Sequence, residues 1–178
     1  EGALPAGAPL PPADLPDTAG RPTPIAATAA GRPAVVVLYR GAWCPYCNLT
    51  LRAYEQQLVP ELDRRGITMI AVSPQKPDGS LTMQQTHALT YPVLSDPDNQ
   101  LATALGVRTA PTPDVAAAQS SLGLDLAAVN ADGTSGLPMP TVALVDREGT
   151  LRWIDVHPDY TTRTEVGDVL EALARIEA

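Results

Sequence analysis

A chain of 178 residues with 44% apolar side chains is long enough for one domain with a substantial core. Its net charge of -8, with the basic residues scattered, sets it against nucleic acid and anionic membrane surfaces, which would repel it. No apolar run approaches the roughly 20 residues of a membrane-spanning helix.

Residues 1–24 are rich in Pro, Ala and Gly and lack a hydrophobic period, which predicts an extended, partly mobile arm. The remainder, 25–178, reads as a single domain. Ala34–Tyr39 is a continuous β-branched run, as expected of a central strand covered on both faces. A helix follows to about Arg65, with Leu51, Tyr54, Leu58 and Leu62 facing the core and Pro60 kinking or ending it. Ile67–Val72 is a second buried strand. A polar loop at Pro77-Asp78-Gly79 and a short helix at about Thr82–Leu89 come next. Tyr91–Ser95 reads as an edge strand, and Asp96–Asn99 turns into a short helix ending at Leu105-Gly106. Between about 109 and 138 the pattern blurs into an insertion holding one weak helix or a strand pair. Thr141–Val145 and Leu151–Val156 form a hairpin, followed by a last helix from about Arg163 with Thr162 and Glu165 at capping-box spacing. Alternating strands and helices that end in a hairpin predict an α/β fold, a central mixed β-sheet flanked by helices.

The two cysteines, Cys44 and Cys47, stand two residues apart in Trp43-Cys44-Pro45-Tyr46-Cys47, between a buried strand and a helix. A helix start presents free N–H groups and a positive dipole end, both of which stabilise a thiolate. Pro45 fits the first helical turn and keeps it rigid. Cys47, one turn on, is placed to close a disulfide with Cys44. Arg40 is near enough in sequence to add positive charge, and Trp43 to cover the thiolate. A zinc site would need two more ligands, and His87 and His157 lack the spacing. A structural staple across so short a loop constrains the unfolded chain little. Redox chemistry is the remaining reading, and it calls for neither cofactor nor metal.

The segments Leu38–Cys47, Leu94–Asp98 with Leu101–Val107, and Met139–Val142 with Val145–Gly149 resemble the thioredoxin superfamily. Within it they are most similar to redoxins of the alkyl hydroperoxide reductase/thiol-specific antioxidant type, the peroxiredoxins. The resemblance covers roughly Leu15 to the C-terminus and implies a thioredoxin fold. Met139-Pro140-Thr141 is thioredoxin-like, which implies a cis bond before Pro140, packed against the cysteine pair. Aligned on the peroxiredoxin pattern Pro-x-x-x-Thr-x-x-Cys, Cys47 takes the peroxide-attacking place and Cys44 that of the threonine. Aligned on thioredoxins, Cys44 attacks and Cys47 resolves. The peroxiredoxin arginine before the hairpin strand is Met139 here, leaving Arg40 or Arg163 to supply charge.

The resemblance implies a hydroperoxide reductase cycling a Cys44–Cys47 dithiol, regenerated by thioredoxin or by a mycothiol- or glutathione-type small thiol. A disulfide oxidoreductase acting on protein disulfides and a redox-sensing binding module are the alternatives. The chain starts at Glu1 without a signal-peptide pattern. That slightly favours the cytoplasm, with a processed exported or anchored form left open.

Overall fold

A computed structural model describes residues 2–177. The elements in chain order begin with β1 (Asp14–Pro16), β2 (Pro22–Pro24), α1 (Ile25–Ala29) and β3 (Ala34–Leu38). Then come α2 (Pro45–Ala53), a π-helical turn (Tyr54–Leu58), α3 (Val59–Arg64), β4 (Thr68–Ser73), α4 (Pro77–Thr86) and β5 (Val93–Ser95). A 3-10 turn (Pro97–Asn99), α5 (Gln100–Leu105), β6 (Arg108–Thr109), α6 (Pro113–Ser121), α7 (Leu126–Val129) and β7 (Leu137–Pro138) follow. The chain finishes with β8 (Thr141–Val145), β9 (Leu151–Val156) and α8 (Val166–Glu177).

The central sheet has five strands in the order β5-β4-β3-β8-β9. β3 lies parallel to β4, with Val36 opposite Ile70, and antiparallel to β8, with Val36 opposite Ala143. Every residue of β3, β4 and β8 is buried, which is why these strands read as unbroken apolar runs. Successive side chains alternate between two cores. Val35, Val37 and Tyr39 join Leu51, Tyr54, Leu58, Val169 and both cysteines on one face. Val36, Leu38 and Ile70 join Leu15, Leu101 and Leu105 on the other.

The N-terminal arm is extended, but it is docked rather than mobile. Leu4 N donates to Leu105 O at 2.9 Å and Gly7 N to Leu151 O at 2.7 Å, while Leu15 is fully buried. The helix after the cysteines continues through Pro60 by inserting the π turn immediately ahead of α3, so that the missing N–H is absorbed in a widened turn.

Three local expectations are corrected. Pro77-Asp78-Gly79 is the first turn of α4, because Pro77 takes a first-turn position where its missing donor costs nothing. The last helix starts at Val166, not Arg163. Thr162 Oγ1 donates to Asp159 O, and it is Asp168 that caps the helix by accepting from Glu165 N at 2.9 Å. The insertion holds helices and a strand pair together: α6, α7 and the two-residue ladder of β6 with β7.

Candidate active site

Cys44 is the N-cap residue of α2, and Pro45 opens the helix behind it. The approach to the helix is fixed by the loop after β3. Gln75 Oε1 accepts from Ala42 N at 3.1 Å, Asn48 Nδ2 donates to Ala42 O at 2.9 Å, and Gln75 Nε2 donates to the Tyr39 hydroxyl at 3.1 Å. Gly41 is required by close approach, since a Cβ there would lie 2.4 Å from Trp43 Nε1. Both cysteines are free thiols, buried to 1% exposure.

Two guanidiniums serve the sulfurs. Arg163 Nη2 lies 3.6 Å from Cys44 Sγ and 3.4 Å from Cys47 Sγ. Arg40 donates its backbone N–H to Cys47 Sγ at 3.5 Å. Its guanidinium lies over the Trp43 ring at 4.9 Å and over the Tyr160 ring at 4.3 Å. Tyr46, half-exposed, meets Tyr160 edge to face with ring centroids 6.2 Å apart, forming the outer rim.

This environment separates the two thiols. The Cys44 thiol is lowered to about 5, first by the hydrogen bond from the Cys47 thiol, then by the Cys47 peptide N–H and the charges of Arg40 and Arg163, against the opposing cost of burial. Cys47 is pushed up, because it is the partner that keeps its proton and because it is buried. Cys44 is therefore the thiolate of the pair and Cys47 the protonated donor.

Arg163 sits on a strap, residues 157–165, that is held at both ends. Asp155 Oδ2 meets His157 Nε2 at 2.9 Å and accepts from Thr164 Oγ1 at 2.8 Å. His157 Nδ1 pairs with Thr162 Oγ1 at 2.8 Å, and the Tyr54 hydroxyl donates to Thr164 O. His157 thus belongs to the scaffold of the site. His87 is the C-cap residue of α4, and among the described residues no hydrogen bond joins it to the site.

The structure brings Arg40, Trp43, Cys44, Pro45 and Cys47 together. Pro140 lines a cavity against Arg40, but the bond before it is trans, there being no cis peptide among the described residues. The segment is pinned in extended form: Met139 N donates to Val107 O at 2.8 Å and His157 N to Pro140 O at 2.9 Å. Sequence reasoning missed Gln75, Asp155, Tyr54 and Thr164. Gln75 and the Tyr54–Thr164 pair act across tens of residues of chain, and Asp155 acts through the fold of the strap, so no motif signals them. Among the described residues no group of three or more His, Cys, Asp or Glu could hold a metal ion, and no helix is long and apolar enough to cross a membrane.

Two cysteines at a strand-to-helix junction of a five-stranded mixed sheet, one held as thiolate, define a redox-capable thiol site on a thioredoxin fold. The AhpC/TSA family model matches residues 6–154, and the chain belongs to that family. A protein of Mycobacterium tuberculosis (strain H37Rv) named as a peroxiredoxin is 33% identical over 92 residues, 52% of this chain. The match spans 57% of that curated relative's length. The fold is similar to that of reduced Prx3 from Vibrio vulnificus in complex with hydrogen peroxide, with a TM-score of 0.78, 18% identity and 98% of both chains covered. It is also similar to peroxidoxin BcpB from M. tuberculosis, with a TM-score of 0.73, 16% identity and coverage of 99% of this chain and 97% of that one.

Proposed function

We propose that the chain is a thiol peroxidase in which Cys44 attacks the peroxide and Cys47 resolves. The observation that carries this reading is the Cys44 thiolate beside a protonated Cys47, with Arg163 touching both sulfurs. The Cys44 thiolate attacks the distal oxygen of a hydroperoxide, ROOH, forming an S–O bond as the O–O bond breaks and RO⁻ is displaced. Cys44 becomes a sulfenic acid and the RO⁻ leaving group takes a proton as the alcohol. The Cys47 sulfur then attacks the sulfenic sulfur, water leaves, and the two electrons lost by the pair are those gained by the peroxide. Two reducing equivalents from an external thiol, thioredoxin or a small mycothiol- or glutathione-type molecule, restore the dithiol. Arg163 and Arg40 hold positive charge where the leaving oxygen develops negative charge.

Trp43 flanks Cys44, so its fluorescence reports the sulfur's state. Stopped-flow mixing of the reduced protein with hydrogen peroxide should give a fast change that Cys44→Ser abolishes and Cys47→Ser leaves in place. Oxidation no faster than that of a free thiol would remove the peroxidase reading.

A second reading, exchange with protein disulfides, draws on the placement of Cys44 at a helix start behind a thioredoxin-like Trp43, which suits attack on sulfur equally well. Reduction of insulin disulfides by the dithiol form, with slow peroxide consumption, is the outcome that would select it.

A further inference from the structure

We infer that a cavity of about 170 Å³ lined by Arg40 is a subsite for the carboxylate of a small organic substrate, with Arg40 as the residue that binds it. Arg40 is 8% exposed, yet among the described residues its guanidinium has neither an ion pair nor a hydrogen bond. The rings of Trp43 and Tyr160 on either side ease the burial of charge, but they leave its fork of N–H donors unmatched. A largely buried guanidinium without a protein acceptor keeps its donors available to an anion, and here it lines a cavity. A guanidinium fork fits a carboxylate with two parallel hydrogen bonds.

The other walls say what the rest of the molecule is like. Val115 on α6, Leu137 and Met139 present apolar surface, so a short hydrocarbon segment fits behind the carboxylate. A volume of about 170 Å³ limits the occupant to a small molecule. Arg40 lines this cavity and its backbone N–H contacts Cys47 Sγ, so the cavity and the thiols share one residue.

Two carriers satisfy this chemistry, and the inference rests on the thiol chemistry proposed above. A carboxylated hydroperoxide would oxidise Cys44 as described and leave as the hydroxy acid. A carboxylated thiol would attack the disulfide as thiolate, form a mixed disulfide and release one cysteine. A second such thiol would then release the small disulfide and the dithiol protein.

The test compares each acid with its own methyl ester, so that any change in cysteine reactivity cancels within a variant. In one arm the reduced protein is oxidised by a short hydroperoxyalkanoate or its ester. In the other, protein oxidised beforehand with diamide is reduced by 3-mercaptopropionate or its ester. The expected result is an acid preference of about tenfold in at least one arm, the scale of one charge-assisted hydrogen-bonded pair. Arg40→Gln should bring the ratio near unity. Val115→Trp, which fills the cavity from the insertion side and touches no sulfur, should lower the ratio while oxidation by hydrogen peroxide stays at the wild-type rate. Preference confined to the first arm assigns the subsite to the oxidant, and preference confined to the second assigns it to the reductant. A ratio near unity in both arms of the wild-type protein, or one unchanged in Arg40→Gln, overturns the inference. Because the second arm needs no peroxide chemistry, slow hydrogen peroxide turnover would sink the peroxidase reading and leave the subsite still decided by that arm.

Discussion

Cys44 owes its acidity to several neighbours of unequal weight, with the Cys47 thiol first and the guanidiniums of Arg40 and Arg163 behind the peptide N–H. The thiolate is the reacting form, so the rate of alkylation by iodoacetamide should rise as pH climbs through about 5 and stay level above it. Cys47→Ala removes the principal donor and should move that midpoint upward, further than Arg163→Met does. The reverse order would show that charge, not the thiol–thiol hydrogen bond, governs the site. Gly41 gives a steric prediction. A methyl group 2.4 Å from Trp43 Nε1 must displace the indole or the loop, so Gly41→Ala should destabilise by about 1–3 kcal/mol and shift Trp43 fluorescence. Urea unfolding that matches wild type would mean the ring yields freely.

Among the elements, the strap that carries Arg163 depends on contacts from both sides. The Tyr54 hydroxyl, at the start of the π turn, donates to the carbonyl of Thr164, a residue 3% exposed. Tyr54→Phe leaves that buried acceptor unpaired and should cost about 1–2 kcal/mol in urea unfolding. It should also speed hydrogen exchange across the strap, and an unchanged exchange pattern would separate Tyr54 from Arg163 placement. How far each element could be read from sequence follows from where its determinants lie. β3, β4 and β8 are apolar at nearly every position and announce themselves, and the Cys44–Cys47 spacing at a strand-to-helix junction announces the chemistry. Thr162 does not cap the last helix, because its hydroxyl is committed to Asp159 and His157, contacts made by the strap's own fold. Arg163 meets Cys44 across 119 positions, and Gln75 holds Ala42 across 33, so no local pattern could join them. The trans bond before Pro140 likewise reflects the pairing of Met139 with Val107, which the Met-Pro-Thr pattern does not encode.

Across the whole molecule, the sheet separates two apolar layers with different duties. The layer holding Cys44 and Cys47 is closed by α2, the π turn and α8, while the other is closed by α5 and, at its margin, by the N-terminal arm. Leu15, on the arm, is fully buried in the same apolar layer as Val36, Ile70 and Leu101, on the face away from the thiols. An arm that merely trailed over the surface would tolerate Leu15→Ala within about 0.5 kcal/mol. An arm that completes a core should lose about 2–5 kcal/mol on the same change, since the cavity left behind is only partly refilled. The site offers an independent control. The substitution lies across the sheet from the sulfurs, so the pH midpoint of Cys44 alkylation should remain where it is in the wild type. A large stability loss with an unmoved midpoint is the expected pair of results. If the midpoint moved as well, the two layers would be coupled through β3, and the arm would belong to the machinery of the thiol site as well as to its support.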